Sequence, residues 1–331
     1  MAEVLCLGEA LVDRLEQPEG DHLGGAPANV ACALARLGTP SAFLGRLGCD
    51  PIGEALAALL NSRGVDGSAI QWDPQRPSRI VLVQRDASGE RCFGGFAGDR
   101  GLGFADQALD EHELDACLPR LLNPIQTPGD PQPVSPGWLI SGTIPLASPL
   151  AASALNRAVA TAQGAGLRLG VDVNWRPTFW DPALPPDAPP SPQALDAIRP
   201  LIAQAHLLKC TVEEAQWLFG ITDPAAIAAA LPRQPEVLVT AGAGAIRWSA
   251  SRRRGERNTF QVLSVDTTGA GDAFLAGWLH ALCRHPGWPV EQRIAFASAC
   301  GALVCSGPGA IDPQPTEPEV LAFLSDRGEV C

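Results

Sequence analysis

Short apolar runs alternate with amphipathic stretches along most of the chain. Runs with the length of buried strands lie at 3–7, Trp138–Ser141, 167–173, 206–209 and Glu236–Thr240. Between them, apolar residues recur at helical spacing at 27–37, 51–63, 149–163 and Val212–Phe219. Strands that alternate with helices predict a mostly parallel sheet covered on both faces, which is a doubly wound α/β fold.

One segment breaks this alternation. Arg79–Arg85 and 90–96 flank the turn Asp86-Ala87-Ser88-Gly89, a pattern that predicts a β-hairpin. We therefore expect one domain, 1–331, with a small β lid formed by about 13–24 and 79–98. Two proline-rich stretches, 123–136 and 182–192, are predicted to be surface loops.

Composition narrows the class of protein. With 331 residues, 46% hydrophobic and 18% charged, the chain is typical of a globular protein, and its apolar runs are too short to span a bilayer. The start of the sequence lacks the pattern of a secretory leader, so we expect a cytoplasmic protein. A net charge of −12 disfavours nucleic acid as a partner, and the only tight basic cluster, at 252–254, is interpreted as a solvated hairpin turn.

Cysteine and lysine usage exclude several kinds of site. The ten cysteines include no C-x2-C pair and mostly lie in apolar runs, which favours small buried hydrophobes in a reducing compartment. Lys209 is the only lysine, and no Gly-Lys-Ser/Thr surrounds it, so a P-loop kinase and a protein kinase are both excluded. No strand is followed by a complete G-x-G-x-x-G, which weakens a dinucleotide fold.

The segment at 266–274, DTTGAGDAF, carries the strongest chemical signal. Apolar residues then recur at helical spacing, so a glycine-rich turn leads into a helix N-terminus, where backbone amides favour an anion such as a phosphoryl group. Asp272 would repel a phosphate as a binder, but as a base it can accept the proton of an attacking hydroxyl. An ordinary N-cap aspartate is the alternative.

A second glycine-rich turn lies near the start of the chain. Gly24 and Gly25 precede the first long helix, which carries Asn29, and Asp13 lies just upstream. Carboxylate and amide groups suit the hydroxyls of a sugar, whereas a loop aspartate and a helix-surface asparagine are the ordinary alternatives.

Five motifs together resemble one family. GEALVD, GGAPANVACALARLG, GRLGCDPIG, DVNWRP and DTTGAGDAFLAGW occur in the order seen in the ribokinase-like, or phosphofructokinase-B-type, carbohydrate kinases. The resemblance covers essentially the whole chain, and within the family GGAPANVA and DVNWRPTFW look most like fructokinases.

The resemblance implies a role for each matched residue. Asp272 would be the base, with Gly269, Ala270 and Gly271 as the anion hole. Arg176 would approach the transferring phosphate, with an ordinary surface arginine as the alternative. The residues expected to hold the sugar are Asp13, Gly24, Gly25, Asn29 and Asn174. Those expected to contact ATP are Lys209, Thr240, Gly242, Gly244, Gly301 and Gly309.

Metal binding is also implied. Glu214 would act on Mg²⁺ indirectly, and Asp266 and Thr268 are candidates for a monovalent cation such as K⁺. Two positions depart from the family pattern: Thr211 replaces an asparagine, and Ala245 stands where a glycine is usual. We expect Thr211 to tune metal dependence.

The resemblance thus implies an ATP-dependent kinase that uses Mg²⁺ and phosphorylates a primary hydroxyl of fructose. Within the family the alternatives are a ribokinase, a 2-keto-3-deoxygluconate kinase and an adenosine kinase. A non-catalytic scaffold is the alternative from another class. The expected partners are the sugar and ATP, with no nucleic acid and no membrane, and with a homodimer formed through the lid.

Overall fold

The computed structural model describes residues 2–16, 19–85, 91–122 and 137–329, and the strands in these ranges form three sheets. The strands are β1 Val4–Leu7, β2 Leu11–Glu16, β3 Glu19–Gly24, β4 Ser41–Leu44, β5 Arg46–Gly48, β6 Gln71–Asp73, β7 Arg79–Arg85, β8 Arg91–Ala97, β9 Trp138–Ser141, β10 Arg168–Asp172, β11 Leu207–Thr211, β12 Glu236–Thr240, β13 Ala245–Ala250 and β14 Arg253–Asn258.

The helices are α1 Ala26–Leu37, α2 Pro51–Ser62, α3 Glu111–Leu122, α4 Pro149–Gly164, α5 Pro177–Trp180, α6 Pro192–Ile202, α7 Val212–Phe219, α8 Pro224–Ala230, α9 Ala270–Arg284, α10 Val290–Val304 and α11 Glu317–Ser325. Short 3₁₀ turns lie at Ala105–Ala108 and Ile144–Ala147.

The largest sheet has eight strands in the order β14-β13-β12-β11-β10-β9-β1-β4. The six strands from β12 to β4 are parallel, and β13 and β14 add an antiparallel edge. This confirms the predicted mostly parallel α/β sheet. Because the strands are parallel, their carboxyl ends meet at one edge, where ligands of such sheets usually bind.

Helices cover both faces of this sheet, so its strands are apolar throughout. In β1, Leu5 and Leu7 pack into the core on one face, which contains Leu155 of α4. Val4 and Cys6 face the other side, where they join a core that contains Trp278 of α9. Alternate side chains of one strand therefore pack into two separate hydrophobic cores, one on each face of the sheet.

The second sheet has four strands in the order β3-β2-β7-β8, at the places predicted for the small β sheet. The predicted hairpin is present as the antiparallel pair β7 and β8, and its turn at 86–89 lies outside the described residues. Arg79 of β7 ties this sheet to the rest of the chain. Its Nε lies 2.8 Å from Oδ2 of Asp106, and both side chains are buried. The guanidinium also stacks on the rings of Phe96, Phe104 and Phe179.

The predictions for loops and turns are only partly confirmed. The stretch 123–136 lies outside the described residues. The loop at 182–192 ends one residue early, because Pro192 is the first residue of α6, where proline needs no hydrogen-bond partner. Arg252 lies in the turn between β13 and β14, but Arg253 and Arg254 already belong to β14.

The described ranges also show the state of most cysteines and the lengths of the apolar helices. The eight cysteines whose side chains are described are free thiols, and Cys6, Cys32, Cys210 and Cys300 are buried as predicted. Cys49 is exposed, which differs from the general expectation. Within the same ranges, none of the helices combines the length and the hydrophobicity that crossing a membrane requires.

Candidate active site

The glycine-rich turn before α9 is shaped by its own backbone and by Asp266. Gly269 has φ 78°, and a Cβ there would lie 2.5 Å from the Cβ of Ala310, so only glycine fits. Oδ1 of Asp266 accepts hydrogen bonds from the backbone N (3.0 Å) and Oγ1 (2.7 Å) of Thr268. Its Oδ2 accepts one from the amide of Gly309 at 2.8 Å. Asp266 therefore joins the turn to the loop after α10.

The start of α9 is an anion site supported by a cation. The amide of Ala270 donates to the carbonyl of Thr267 at 3.2 Å, whereas helix geometry leaves the amides of Gly271 and Asp272 without an intrahelical acceptor. Lys209 lies directly beneath them, since a Cβ on Gly271 would be 3.3 Å from its Nζ. Amides, helix dipole and ammonium therefore all favour negative charge here.

Asp272 is half-buried in the first turn of α9, and its Oδ2 accepts a hydrogen bond from Nδ2 of Asn29 at 2.7 Å. Burial raises the pKa of Asp272 to about 6. The Asn29 hydrogen bond lowers it, Asp172 adds to the rise, and Lys209 and Arg176 oppose it. A carboxylate with a pKa just below neutrality is ionised at pH 7 and still basic enough to accept a proton.

Beneath this carboxylate lies a buried ion pair that the motifs did not identify. Nζ of Lys209 donates to Oδ2 of Asp172 at 2.7 Å, and the two residues are register partners on β11 and β10. Burial opposes the charge on Lys209, but the contributions of Asp172, Asp272 and Glu214 together raise the pKa of Lys209. The signal in the sequence is an aspartate at the end of an apolar run, one strand away from the only lysine.

Two of the residues predicted to hold the sugar, Gly24 and Gly25, lie just before α1, which carries Asn29. Gly24 lies beside it, since a Cβ on Gly24 would be 3.3 Å from Oδ1 of Asn29. Gly25 has φ 108°, and a Cβ there would lie 2.6 Å from the carbonyl oxygen of Glu9. Asp13 lies on β2 opposite His22 of β3, in the small sheet that leads into these glycines. Asn29 therefore connects Gly24 and Gly25 to Asp272.

Glu9 is a second buried acid that sequence reasoning missed. Its Oε1 accepts a hydrogen bond from the amide of Ala26 at 3.2 Å, at the start of α1. Burial raises the pKa of Glu9 to about 8, and the charges of Asp106 and Asp272 add to the rise. Glu9 also lines a small cavity that includes Arg79 and Asp106. The available signal was an acid directly after the first strand.

The loop after β10 is held by Glu214. Its Oε1 accepts from the amide of Trp175 and its Oε2 from the amide of Thr211, both at 2.7 Å. Asn174 has φ 42°, and Nη1 of the exposed Arg176 donates to the carbonyl of Trp175 at 3.0 Å. Glu214 thus shapes the loop that carries the predicted residues Asn174 and Arg176.

The predicted ATP residues separate into two groups. Thr240 ends β12 beside Thr211 of β11, and it is followed by an exposed turn in which Gly242 has φ 56°. The amide of Gly244 donates to the carbonyl of Ala241 at 2.8 Å in that turn.

Gly301 and Gly309 form the second group, around the turn before α9. Gly301 is buried within α10, where a Cβ would lie 2.9 Å from the carbonyl oxygen of Ala270, so its placement gives it a packing role. Gly309 lies between Asp266 and His22 of the small sheet.

Comparison with known proteins finds similar sequences and similar structures. The model of the pfkB family carbohydrate kinases matches residues 1–117 and 138–317. A fructokinase of Vibrio alginolyticus is 33% identical over 98% of this chain and 99% of its own. The structure of a Xylella fastidiosa fructokinase with bound ATP has a TM-score of 0.78 and 27% identity, covering 99% of this chain and 100% of that one.

A further structure, a Vibrio cholerae fructokinase double mutant with fructose, ADP and potassium bound, has a TM-score of 0.78 and 27% identity. The alignment covers 98% of each chain.

Proposed function

Because the chain belongs to the pfkB family of carbohydrate kinases, we propose that it is an ATP-dependent fructokinase with Asp272 as its catalytic base. One observation carries the proposal: Asp272 is held by Asn29 at 2.7 Å at the start of α9, directly above Lys209. A proton acceptor therefore lies beside an anion site, which is the arrangement that phosphoryl transfer to a hydroxyl requires.

In the reaction, the sugar hydroxyl attacks the γ-phosphorus of ATP while Asp272 accepts its proton. A bond forms between the hydroxyl oxygen and phosphorus, and the bond from phosphorus to the bridging oxygen breaks, so ADP leaves. The amides of Gly271 and Asp272 and the ammonium of Lys209 stabilise the charge on the transferring group. Asn29 orients the carboxylate, and Arg176 lowers its pKa.

The charge balance of the site fits a divalent cation. The charge of Asp172 raises the pKa of two neighbouring carboxyl groups, those of Asp272 and Glu214. Both oxygens of Glu214 already accept backbone hydrogen bonds, so this residue would hold Mg²⁺ through water, as Mg²⁺ in phosphate sites commonly allows. Bound there, the ion would neutralise charge on the phosphate oxygens of ATP.

K⁺ dependence at Asp266 and Thr268 stays a prediction. The potassium-bound Vibrio cholerae structure motivates it. Oδ1 of Asp266 accepts two hydrogen bonds from Thr268, so a cation at this oxygen would compete with bonds that shape the turn. Replacing K⁺ by Na⁺ at constant ionic strength should lower kcat if this site is used, and an unchanged rate would remove it.

The sugar is best tested by competition. Fructose should have a higher kcat/KM than ribose and 2-keto-3-deoxygluconate, and ³¹P–¹H NMR should place the phosphate on a primary hydroxyl, O1 or O6. A site that pairs hydroxyls through residues such as Asp13 and Asn29 rejects sugars that cannot make the same bonds. Preference for ribose would remove the fructose assignment alone.

ADP formation no faster with any sugar than without sugar would remove the kinase assignment. The predicted homodimer through the small sheet is a separate proposal, which light scattering of the free protein would test.

A further inference from the structure

A histidine-rich cluster lies at the opposite end of α9 from Asp272. It consists of His280 and His285, near the carboxyl end of that helix, and Glu317, the first residue of α11. One nitrogen or oxygen atom from each of the three side chains lies within 4.8 Å of the others. The kinase reaction proposed above gives these residues no role.

His280 is the unusual member, because one of its nitrogens is buried without a hydrogen-bond partner. The residue is 1% exposed, and its ring stacks on Phe296 at 5.4 Å with an interplanar angle of 17°. Nδ1 lies 2.9 Å from Oγ1 of the buried Thr39. Nε2 faces Oε2 of Glu317 at 3.6 Å, which is too long for a hydrogen bond, and it has no other partner.

Neither tautomer of His280 gives Nε2 a hydrogen bond of normal length. If Nδ1 carries the proton and donates to Thr39, Nε2 presents a bare lone pair to a carboxylate oxygen, and the two acceptors repel each other. If Nε2 carries the proton, a buried donor is left without an acceptor at hydrogen-bond distance, which is also costly. A cation between Nε2 and Glu317 would resolve the first case by giving both acceptors a shared partner.

We propose that His280, His285 and Glu317 bind a divalent transition metal, with Zn²⁺ as the representative ion. Two imidazoles and one carboxylate are a donor set that Zn²⁺ favours, and a buried hydrogen bond from the second ring nitrogen, here to Thr39, is the usual support of a metal-binding histidine. Hard cations such as Mg²⁺ prefer oxygen ligands alone.

Metal binding would require the ligand atoms, which lie within 4.8 Å of one another, to adjust their positions. Zinc bonds of about 2.0 Å in a tetrahedral site place neighbouring ligand atoms about 3.3 Å apart. Nε2 of His280 and Oε2 of Glu317 are 3.6 Å apart, while Nε2 of His285 and Oε1 of Glu317 are 2.6 Å apart, the length of a hydrogen bond. Metal binding would displace the proton of that bond, and water would complete the shell, since His285 and Glu317 are partly exposed.

Binding would connect parts of the chain that are distant in sequence. Thr39 follows α1, the two histidines end α9, and Glu317 begins α11. The same three ligands are not held together in an unfolded chain, so the metal would stabilise the folded protein.

The test is a titration of chelator-treated, full-length protein with Zn²⁺ in the absence of nucleotide. We expect one equivalent to bind by isothermal titration calorimetry and Tm to rise by about 5 °C. Co²⁺ should give the visible absorption of a tetrahedral site. His285→Asn and Glu317→Gln should each weaken binding at least about 10-fold, as loss of a ligand does.

His112→Asn provides a matched control, because it removes an exposed histidine from α3 and should leave binding unchanged. Circular dichroism of each variant excludes misfolding as the cause. Zn²⁺ binding that survives both substitutions, or an absence of stoichiometric Zn²⁺ and Co²⁺ binding to the wild-type protein, would overturn the proposal. Neither result would affect the proposed kinase activity, which uses the other end of α9.

Discussion

Two carboxyl groups, the buried Glu9 and the half-buried Asp272, lie beside the first turn of α1 but have different electrostatic environments. Glu9 accepts a hydrogen bond from the amide of Ala26, and Asp272 accepts one from the side chain of Asn29. Burial is the largest cause of the raised pKa in both, yet the pKa is about 8 for Glu9 and about 6 for Asp272.

The difference comes from the Asn29 hydrogen bond, which lowers the pKa of Asp272 most, and from neighbouring charges. Lys209 and Arg176 lower the pKa of Asp272, whereas Asp106 and Asp272 itself raise that of Glu9. Arg79 lies in the same cavity as Glu9 but is paired with Asp106. At pH 7 one acid is therefore ionised and the other is protonated. Under the proposed function, a carboxyl group would serve as a base at the start of α9 and as a neutral hydrogen-bonding group at the start of α1.

Removing the ionised member should have the largest effect. Asp272→Asn should lower kcat by about 100-fold or more, because an amide cannot accept the proton, and it should leave Tm unchanged or higher. Steady-state kinetics and thermal unfolding measure both quantities. Asp196→Asn, an exposed aspartate of α6, is the matched control. Turnover within a few-fold of wild type would show that Asp272 is not the base.

Removing the positive charge of Lys209 should raise the pKa of Asp272 towards that of Glu9. Lys209→Met leaves Asp172 buried without its partner and should lower the free energy of unfolding by about 3–5 kcal/mol. The apparent pKa in kcat/KM should also rise above about 6, since Lys209 lowers the pKa of Asp272.

Adding Asp172→Asn to Lys209→Met should recover part of the lost stability, because it removes the unpaired charge. Urea unfolding of the single and double variants measures this coupling. Equal stability of the two variants would mean that the ion pair contributes little.

Glu9 should make stability depend on pH in the opposite sense from a salt-bridged acid. Between pH 4.5 and about 8 the folded state keeps the proton of Glu9 while the unfolded state loses it, so stability falls as pH rises, by about 1.4 kcal/mol per unit at most. Glu9→Gln should remove this slope, and Glu54→Gln, an exposed residue of α2, should not. Parallel urea midpoints for wild type and Glu9→Gln from pH 5 to 8 would argue against a protonated Glu9.

The hydrogen bond from Asn29 also lowers the pKa of Asp272, and removing it changes no charge in the site. For the wild type, kcat/KM should fall as pH drops through about 6, because Asp272 becomes protonated. Asn29→Leu removes a donor to the carboxylate and should move this limb upward by about one pH unit. Asn61→Leu, on the exposed side of α2, should leave the profile in place. An unmoved profile for Asn29→Leu would show that the bond does not tune the base.

Sequence patterns located most elements that form the core. Trp138–Ser141, Glu236–Thr240 and Val212–Phe219 have the predicted bounds, because their apolar runs end where the chain leaves the core. The edge strands β13 and β14 were not assigned as strands. Buried and half-buried residues alternate in β13, which becomes a strand by pairing with both β12 and β14.

In the candidate site, some residues could be predicted from local sequence and others could not. Asp272 could be found from its glycine-rich turn, which is a local feature of sequence. Glu9 and the pair of Asp172 and Lys209 could not be found in the same way, because their properties depend on packing and register between segments far apart in the chain. The contact of Asn29 with Asp272 spans 243 positions and follows from the packing of α1 against α9.

The single lysine of this chain lies beneath the start of α9, and this has a practical consequence. Reagents that acylate amines can modify only Lys209 and the terminal amino group. Because Lys209 is buried and paired, it should react only when the structure around the start of α9 opens. A bound phosphate compound should slow that reaction. The natural protein therefore carries a built-in probe, whose labelling rate reports the opening of its own active site.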